Sequence, residues 1–329
     1  MQVPTYKRLL IFSGTANPSL AEEVAAHLGM KLGNVEISQF TDSETYVRFS
    51  DSVRGSDAFV MQSVCQPVDH HLMQQLILID ALKRASAKRI TAVVPFYPYS
   101  RQDKKTLGRE PVTAKLVADF FEAAGADRIL SVDLHTGQIQ GFFNVPFDHL
   151  TALPLLADYF ADLIPEEFVV VSPDAGRVRV AEKWTQYMNE YHDKSCDVAF
   201  LHKRRRGDVR NVSETRAVVG DVKDKICVVV DDMIDTAGTL VNGSEILLEA
   251  GAAGVYAAAT HAILSDPATD RIKNSSIHQV VVSSTLPIPS EKQLDKLVIL
   301  SIAPTIAQTI KAVFEEESVS ELFHGDNQP

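Results

Sequence analysis

Residues 226–240 read Ile-Cys-Val-Val-Val-Asp-Asp-Met-Ile-Asp-Thr-Ala-Gly-Thr-Leu, and this stretch constrains the fold more than any other. Ile226 to Val230 is a short apolar, β-branched run. Such a run reads as a strand buried on both faces, as in a parallel sheet. Asp231 and Asp232 then end it. Asp235, Thr236, Ala237, Gly238 and Thr239 form a small-residue loop, and Val241 to Ala250 reads as a helix. Small residues let a ligand approach the backbone, and a helix start offers unpaired N–H groups and a partial positive charge. The segment is therefore a place to hold a phosphate. Two carboxylates at the carboxyl end of a strand, where open α/β sheets bind ligands, can accept hydrogen bonds from sugar hydroxyls beside it. On these residues alone a plainer reading stands as well: Asp235 or Thr236 caps a helix, and the acidic pair is solvated.

The rest of the chain repeats the strand–helix alternation. Strands are expected at Leu9–Phe12, Val35–Ser38, Thr45–Phe49, Ala58–Gln62, Ile90–Val94 and Arg128–Val132, with helices at Leu20–Leu28, Asp69–Ala85 and Thr113–Ala124. After about residue 150 the pattern restarts. Helices are expected at Leu153–Leu163, Ala175–Tyr191 and Thr305–Glu317, and strands at Phe168–Val171, Val198–Leu201, Thr215–Val219, Gly254–Ala262 and Ile277–Ser283. Alternation of this kind builds mostly parallel sheets with helices on both faces. The expected fold is α/β, with two tandem doubly wound domains, 1–150 and 151–329. An Ala-Gly-Ala echo at 124–126 and 250–252 fits duplication, although glycine as a helix stop explains each copy separately.

Composition narrows the function classes. The formal net charge is −11, which disfavours general binding to nucleic acid or anionic membrane, so phosphate affinity must be local or metal-assisted. Three cysteines without paired spacing point to a reducing compartment. The N-terminus lacks a signal-peptide pattern and no apolar run approaches membrane-spanning length. A cytoplasmic protein is expected.

Several other strand ends carry chemistry. Arg101, Gln102, Asp103, Lys104 and Lys105 follow the Phe96-Tyr97-Pro98-Tyr99 turn. They are either a solvated charge run or a phosphate clamp, since arginine forks onto phosphate oxygens. His135 follows Val132-Asp133-Leu134, where a neutral imidazole can reach a metal carried by a nucleotide. Ser172-Pro173-Asp174-Ala175-Gly176-Arg177 repeats the design of strand, Asp, small residues and helix. Asp174 is there an N-cap or a carboxylate ligand to Mg²⁺. His202 to Gly207 is the most basic stretch of an acidic chain, and the polar run behind it reads as a mobile lid over substrate charge.

Taken together, these segments resemble the class I ribose-phosphate diphosphokinases over about Leu10 to Phe323. The markers are Phe40-Thr41-Asp42-Ser43-Glu44, Tyr97-Pro98-Tyr99-Ser100-Arg101-Gln102-Asp103-Lys104, Asp133-Leu134-His135 with Gln138 to Phe143, Ser172 to Gly176, His202-Lys203-Arg204-Arg205 and the loop after Asp231-Asp232. That loop alone also resembles the one in phosphoribosyltransferases. The resemblance implies two domains of phosphoribosyltransferase type and transfer of the diphosphoryl group of MgATP to the 1-hydroxyl of ribose 5-phosphate. It implies that Phe40, Asp42 and Glu44 hold adenine in a neighbouring subunit's site, and that Arg101 and Gln102 clamp ATP. It implies metal ligation by His135 and Asp174, with Mg²⁺ as cofactor. Asp231 and Asp232 would take the ribose hydroxyls, Asp235 to Thr239 the 5-phosphate, and Lys203 and Arg205 the transition state. A homohexamer is implied, with Arg54, Arg109, Ser318 and Ser320 in a regulatory site for phosphate and ADP. Arg177 departs from the pattern, since many relatives have glycine there. A phosphoribosyltransferase and a non-catalytic regulatory relative remain the alternatives at this stage.

Overall fold

The computed structural model describes residues 7–164, 168–204 and 215–323, which form two compact units. The first unit begins with β1 (Leu9–Ser13), α1 (Pro18–His27), the antiparallel hairpin β2 (Val35–Gln39) and β3 (Thr45–Phe49), and β4 (Asp57–Met61). It continues through α2 (Val68–Arg84), β5 (Arg89–Val94), α3 (Thr113–Ala124), β6 (Arg128–Val132) and β7 (Phe147–Leu150). Its main sheet has the order β1-β4-β5-β6-β7, and every neighbouring pair is parallel. β4 is buried along its whole length, as a strand covered on both faces must be. Helix α3 ends where expected, at Gly125, whose φ of 112° is in the left-handed region that glycine enters without strain.

The second unit contains α4 (Leu153–Leu163), β8 (Phe168–Ser172), α5 (Val178–His192), β9 (Asp197–Arg204), β10 (Thr215–Val219), β11 (Ile226–Ile234) and α6 (Gly238–Glu249). After these come β12 (Gly254–Ala262), α7 (Ala268–Asn274), β13 (Val280–Ser283) and β14 (Leu297–Leu300). The strand order is β10-β9-β8-β11-β12-β13-β14, parallel throughout except for the β9–β10 pair. From β8 the chain first builds outward through β9 and β10, then returns to add β11 on the other side. The order thus reverses between β8 and β11.

The last helix, α8 (Ala303–Glu315), corrects the expected second domain of 151–329. Residues 285–287 and 301–323 group with the first unit, and the second unit ends at Leu300. The cause is local bonding. Helix α8 packs on α1. Ser301 Oγ donates to Glu23 (2.6 Å), Arg89 to the Val313 carbonyl (3.2 Å) and Lys7 to Glu316 (2.5 Å). Ser63 Oγ donates to the Thr285 carbonyl at 2.7 Å, which ties in the short segment. No helix among the described residues is long and apolar enough to cross a membrane, and Cys65, Cys196 and Cys227 are free thiols.

Candidate active site

Strand β11 is longer than its apolar run. It continues through the acidic pair to Ile234, with Asp231 paired to Ala259 and Ile234 to Ala262 of β12. Pairing with a buried neighbour outweighs the low strand preference of aspartate. Asp231 and Asp232 therefore stand on a hydrogen-bonded ladder rather than in a loop, which corrects the expected strand end. They lie near the carboxyl end of β11, at the reversal of strand order, where open α/β sheets form their ligand crevice.

The loop that follows is tightly set. Ala237, not glycine, occupies the left-handed region with φ 57°, and it is buried. A non-glycine residue there carries strain that the surroundings must hold. Helix α6 starts directly after it at Gly238, earlier than the expected Val241, and Val241 N–H closes the first turn onto the Ala237 carbonyl at 3.0 Å. The N-cap residue, Ala237, has no side chain that could accept from the N–H groups of this end. The N–H groups of Gly238, Thr239 and Leu240 precede the first helical bond, which is the arrangement that binds anions. Arg271 of α7 donates to the Thr236 carbonyl at 2.9 Å, and a Cβ on Gly238 would lie 3.2 Å from the same guanidinium nitrogen. Sequence reasoning missed Arg271. It is 35 residues from Thr236, and only the placing of β12 beside β11 brings α7 to the loop.

Asp174 follows β8, the neighbour of β11. Its Oδ1 accepts from the backbone N–H of Gly176 (2.7 Å) and Arg177 (3.1 Å), capping a 3₁₀ turn at Ala175–Arg177. The capping reading of this motif is thus met. The exposed carboxylate is still a hard oxygen donor. Arg177 extends from that turn to Asp232, 2.9 Å from its carboxylate, and comes within 4.0 Å of Asp231. Asp231 Oδ1 also accepts from the Asp232 N–H at 2.9 Å. Burial first, then the charge of Asp232, pushes the Asp231 carboxyl well above the usual carboxylate range, and Arg177 opposes the rise. The Asp231 side chain keeps 30% of its surface in contact with solvent, so solvent screens part of this effect. Cys227, in the core of the same strand, is inert: burial holds its thiol up at about 12.

In the first unit, Arg101 and Gln102 sit on a 3₁₀ turn after β5 rather than in an irregular loop. Gln102 accepts from Thr113 Oγ1 at 2.6 Å. Buried Asp103 accepts from Thr136 Oγ1 (2.9 Å) and from Gln138, so it ties the Arg101 turn to the His135 turn after β6. His135 itself is half-buried. Asp103 was legible as part of a motif but not as this tie. Phe40, Asp42 and Glu44 form the exposed tip of the β2–β3 hairpin. Phe40 meets Tyr46 edge-on at 5.8 Å, and the tip is closed by bonds from Phe40 N–H to the Glu44 carbonyl and from Ser43 N–H to the Phe40 carbonyl, both 2.9 Å. Arg54, Arg109, Ser318 and Ser320 are exposed in this unit, the arginines on two different loops, Arg109 with φ 72°, and the serines on the segment that follows α8.

Lys203 lies on β9, its backbone paired with Arg216 of β10. The expected strand at Val198–Leu201 thus extends to Arg204, and Arg205 and the expected lid fall outside the described residues. Among the described residues no group of three or more His, Cys, Asp and Glu could hold a metal. The donors present fit Mg²⁺ in its usual manner, in which one or two carboxylates assist substrate phosphates.

Residues 9–125 match the family profile of the N-terminal domain of ribose phosphate pyrophosphokinase. Residues 209–324 match that of the phosphoribosyl synthetase-associated domain. A ribose-phosphate pyrophosphokinase of Streptomyces coelicolor is 54% identical over 318 residues, 96% of both chains. One from Mycobacterium tuberculosis is 52% identical over 321 residues, 97% of both chains. The crystal structure of phosphoribosylpyrophosphate synthetase from Mycobacterium smegmatis superposes with a TM-score of 0.87 at 52% identity, covering 94% of this chain and all of that one. Identity of this order across both units, on a fold that matches end to end, places the chain in the ribose-phosphate pyrophosphokinase family.

Proposed function

We propose that the two sets of strand-end residues carry the family's reaction: transfer of the diphosphoryl group of MgATP to the 1-hydroxyl of ribose 5-phosphate, giving 5-phosphoribosyl 1-diphosphate and AMP. The observation that carries the reading is the adjacency, in one unit, of an acidic pair on β11 and the start of α6, whose N-cap is an alanine. The first accepts hydroxyl hydrogen bonds and the second donates to phosphate, which is the pattern of a sugar phosphate. On this reading Asp231 and Asp232 hold the ribose hydroxyls. Asp235 to Thr239 hold the 5-phosphate, with Arg271 bracing the loop through Thr236.

Arg101 and Gln102 orient the ATP phosphates. Phe40, Asp42 and Glu44 hold the adenine, and the exposure of the hairpin tip suits service in a neighbouring subunit. Asp174 and His135, one in each unit, are each candidate ligands for Mg²⁺, which when bound neutralises phosphate charge. The sugar hydroxyl attacks the β-phosphorus in line. Such transfer needs positioning and charge stabilisation more than covalent catalysis, and Lys203 and Arg205 supply the latter.

The same reading includes a cytoplasmic homohexamer of about 217 kDa, six chains of 36.2 kDa, in which Arg54, Arg109, Ser318 and Ser320 bind phosphate or ADP as effectors. Incubation with ribose 5-phosphate and MgATP should release AMP in step with the phosphoribosyl product. AMP formation that does not depend on ribose 5-phosphate would refute the reaction. Light scattering tests the assembly, where a monomer in the presence of phosphate would count against it.

A further inference from the structure

The sugar crevice holds a cation that the chemistry of a diol does not require. Arg177 leaves a 3₁₀ turn whose backbone is fixed twice: its N–H donates to Asp174 Oδ1 (3.1 Å) and also lies 3.3 Å from the Asp174 carbonyl. The turn follows β8, which is paired with β11 through Val171 and Val229. From that anchored point the guanidinium reaches across to the next strand and meets Asp232 at 2.9 Å and Asp231 at 4.0 Å. The arginine side chain is 16% exposed and that of Asp232 6%. A planar guanidinium held at its base and paired at its tip has few other positions available.

Two neighbouring carboxylates, one of them buried, repel each other, and without a counter-charge such a pair takes up a shared proton. A protonated carboxyl presents a donor where a sugar hydroxyl needs an acceptor, and an unpaired one has no fixed rotamer. Ionised carboxylates offer about four lone-pair positions each, so an arginine contact and a hydroxyl contact are compatible. We infer that Arg177 is a positioning and specificity-determining residue for the sugar: it spans from the β8 turn to Asp231 and Asp232 and holds the pair aimed so that it meets two adjacent hydroxyls of ribose 5-phosphate. The ligand class is a vicinal diol sugar phosphate. This rests on the assignment of the acidic pair to the ribose hydroxyls proposed above.

The test compares Arg177→Ala, Arg177→Lys, Asp232→Asn and the unaltered enzyme, each assayed with ribose 5-phosphate and with 2-deoxyribose 5-phosphate as acceptor. Arg177→Ala should raise the KM for ribose 5-phosphate about tenfold, the scale of one charge-assisted hydrogen bond. The KM for ATP should stay within about twofold. Preference for ribose over deoxyribose should shrink, because misaimed carboxylates no longer select for both hydroxyls. Arg177→Lys restores a charge but not a fork and should fall between the two. A defect of folding alone would lower the yield of active enzyme without changing the ratio between the two acceptors.

Unchanged sugar KM and unchanged acceptor preference in Arg177→Ala would overturn the inference. Should that variant not fold, an Arg177→Lys enzyme indistinguishable from the unaltered one would do the same. If Asp232→Asn leaves sugar binding intact, the sugar-site assignment itself fails. If Asp232→Asn weakens sugar binding while Arg177→Ala does not, only the role of Arg177 fails.

Discussion

The two sheets solve the same problem of presenting polar side chains at strand ends, and they do so differently. The five-stranded sheet advances in one direction from β1 to β7, whereas the seven-stranded sheet reverses between β8 and β11. A reversal sends the connections after neighbouring strands away from each other and leaves a crevice between them. In the second unit an acidic pair stands beside that crevice, and a charge, Arg177, reaches from the turn after β8 to it. In the first unit, successive strands β5 and β6 put their turns side by side. Hydrogen bonds to the buried Asp103 bind those turns together. The first arrangement makes a rigid platform and the second an opening with a charged rim. The proposed reading divides the labour accordingly: nucleotide phosphates on the platform, sugar phosphate in the opening.

The largest expected effect belongs to Lys203 and Arg205, to which the proposed reading gives the charge of the transition state. Lys203→Ala or Arg205→Ala should lower turnover a hundredfold or more, about 2–4 kcal/mol of barrier, while substrate affinities change little. Near-normal kcat in either variant would remove the pair from the chemistry. Next in size are substitutions that should split by unit. Gly238→Val should weaken ribose 5-phosphate binding by about tenfold or more, since the new side chain would crowd Arg271 and block the backbone approach. Calorimetry should show ATP affinity spared. Asp103→Ala should do the reverse. It removes the acceptor shared by Thr136 and Gln138 and loosens the Arg101 turn. The KM for ATP should rise severalfold with that for the sugar unchanged, and equal losses for both substrates would break the comparison.

The smallest effect is on stability. Because the folded Asp231 holds its proton to higher pH than the unfolded chain, its contribution is fully present below the ordinary carboxylate pKa. It is lost as pH rises through the raised value. Asp231→Asn removes that loss. Its Tm should exceed the unaltered protein's at pH 8, by about 2–4 °C for each kcal/mol recovered, and the gain should vanish in acid. A Tm difference that does not change with pH would contradict the charge argument.

The local part of this picture was legible in the sequence. Apolar runs marked the buried strands, Gly125 marked the end of α3, and helix α4 falls where its pattern put it. The acidic pair and its loop stood out because a strand, two charges and small residues follow one another without interruption. What sequence did not reveal depends on partners far along the chain. The extension of β11 past Asp231 comes from β12, and the brace at Thr236 comes from α7. The apolar face of α8 shows that the helix packs but not on which unit. Short elements such as β14 and α7 carry too few residues for a period to appear.

Helix α8 has a consequence for how the protein is made. The second unit is inserted between the body of the first and its closing helix, so the ribosome must pass Ala303 before α1 receives its partner. Domains fold in order as they emerge, and here that order is broken. The second unit can complete itself while the first still waits with the α8-facing side of α1 uncovered. The nascent chain is therefore most prone to aggregation late in synthesis, and a truncation that removes α8 damages the unit encoded first.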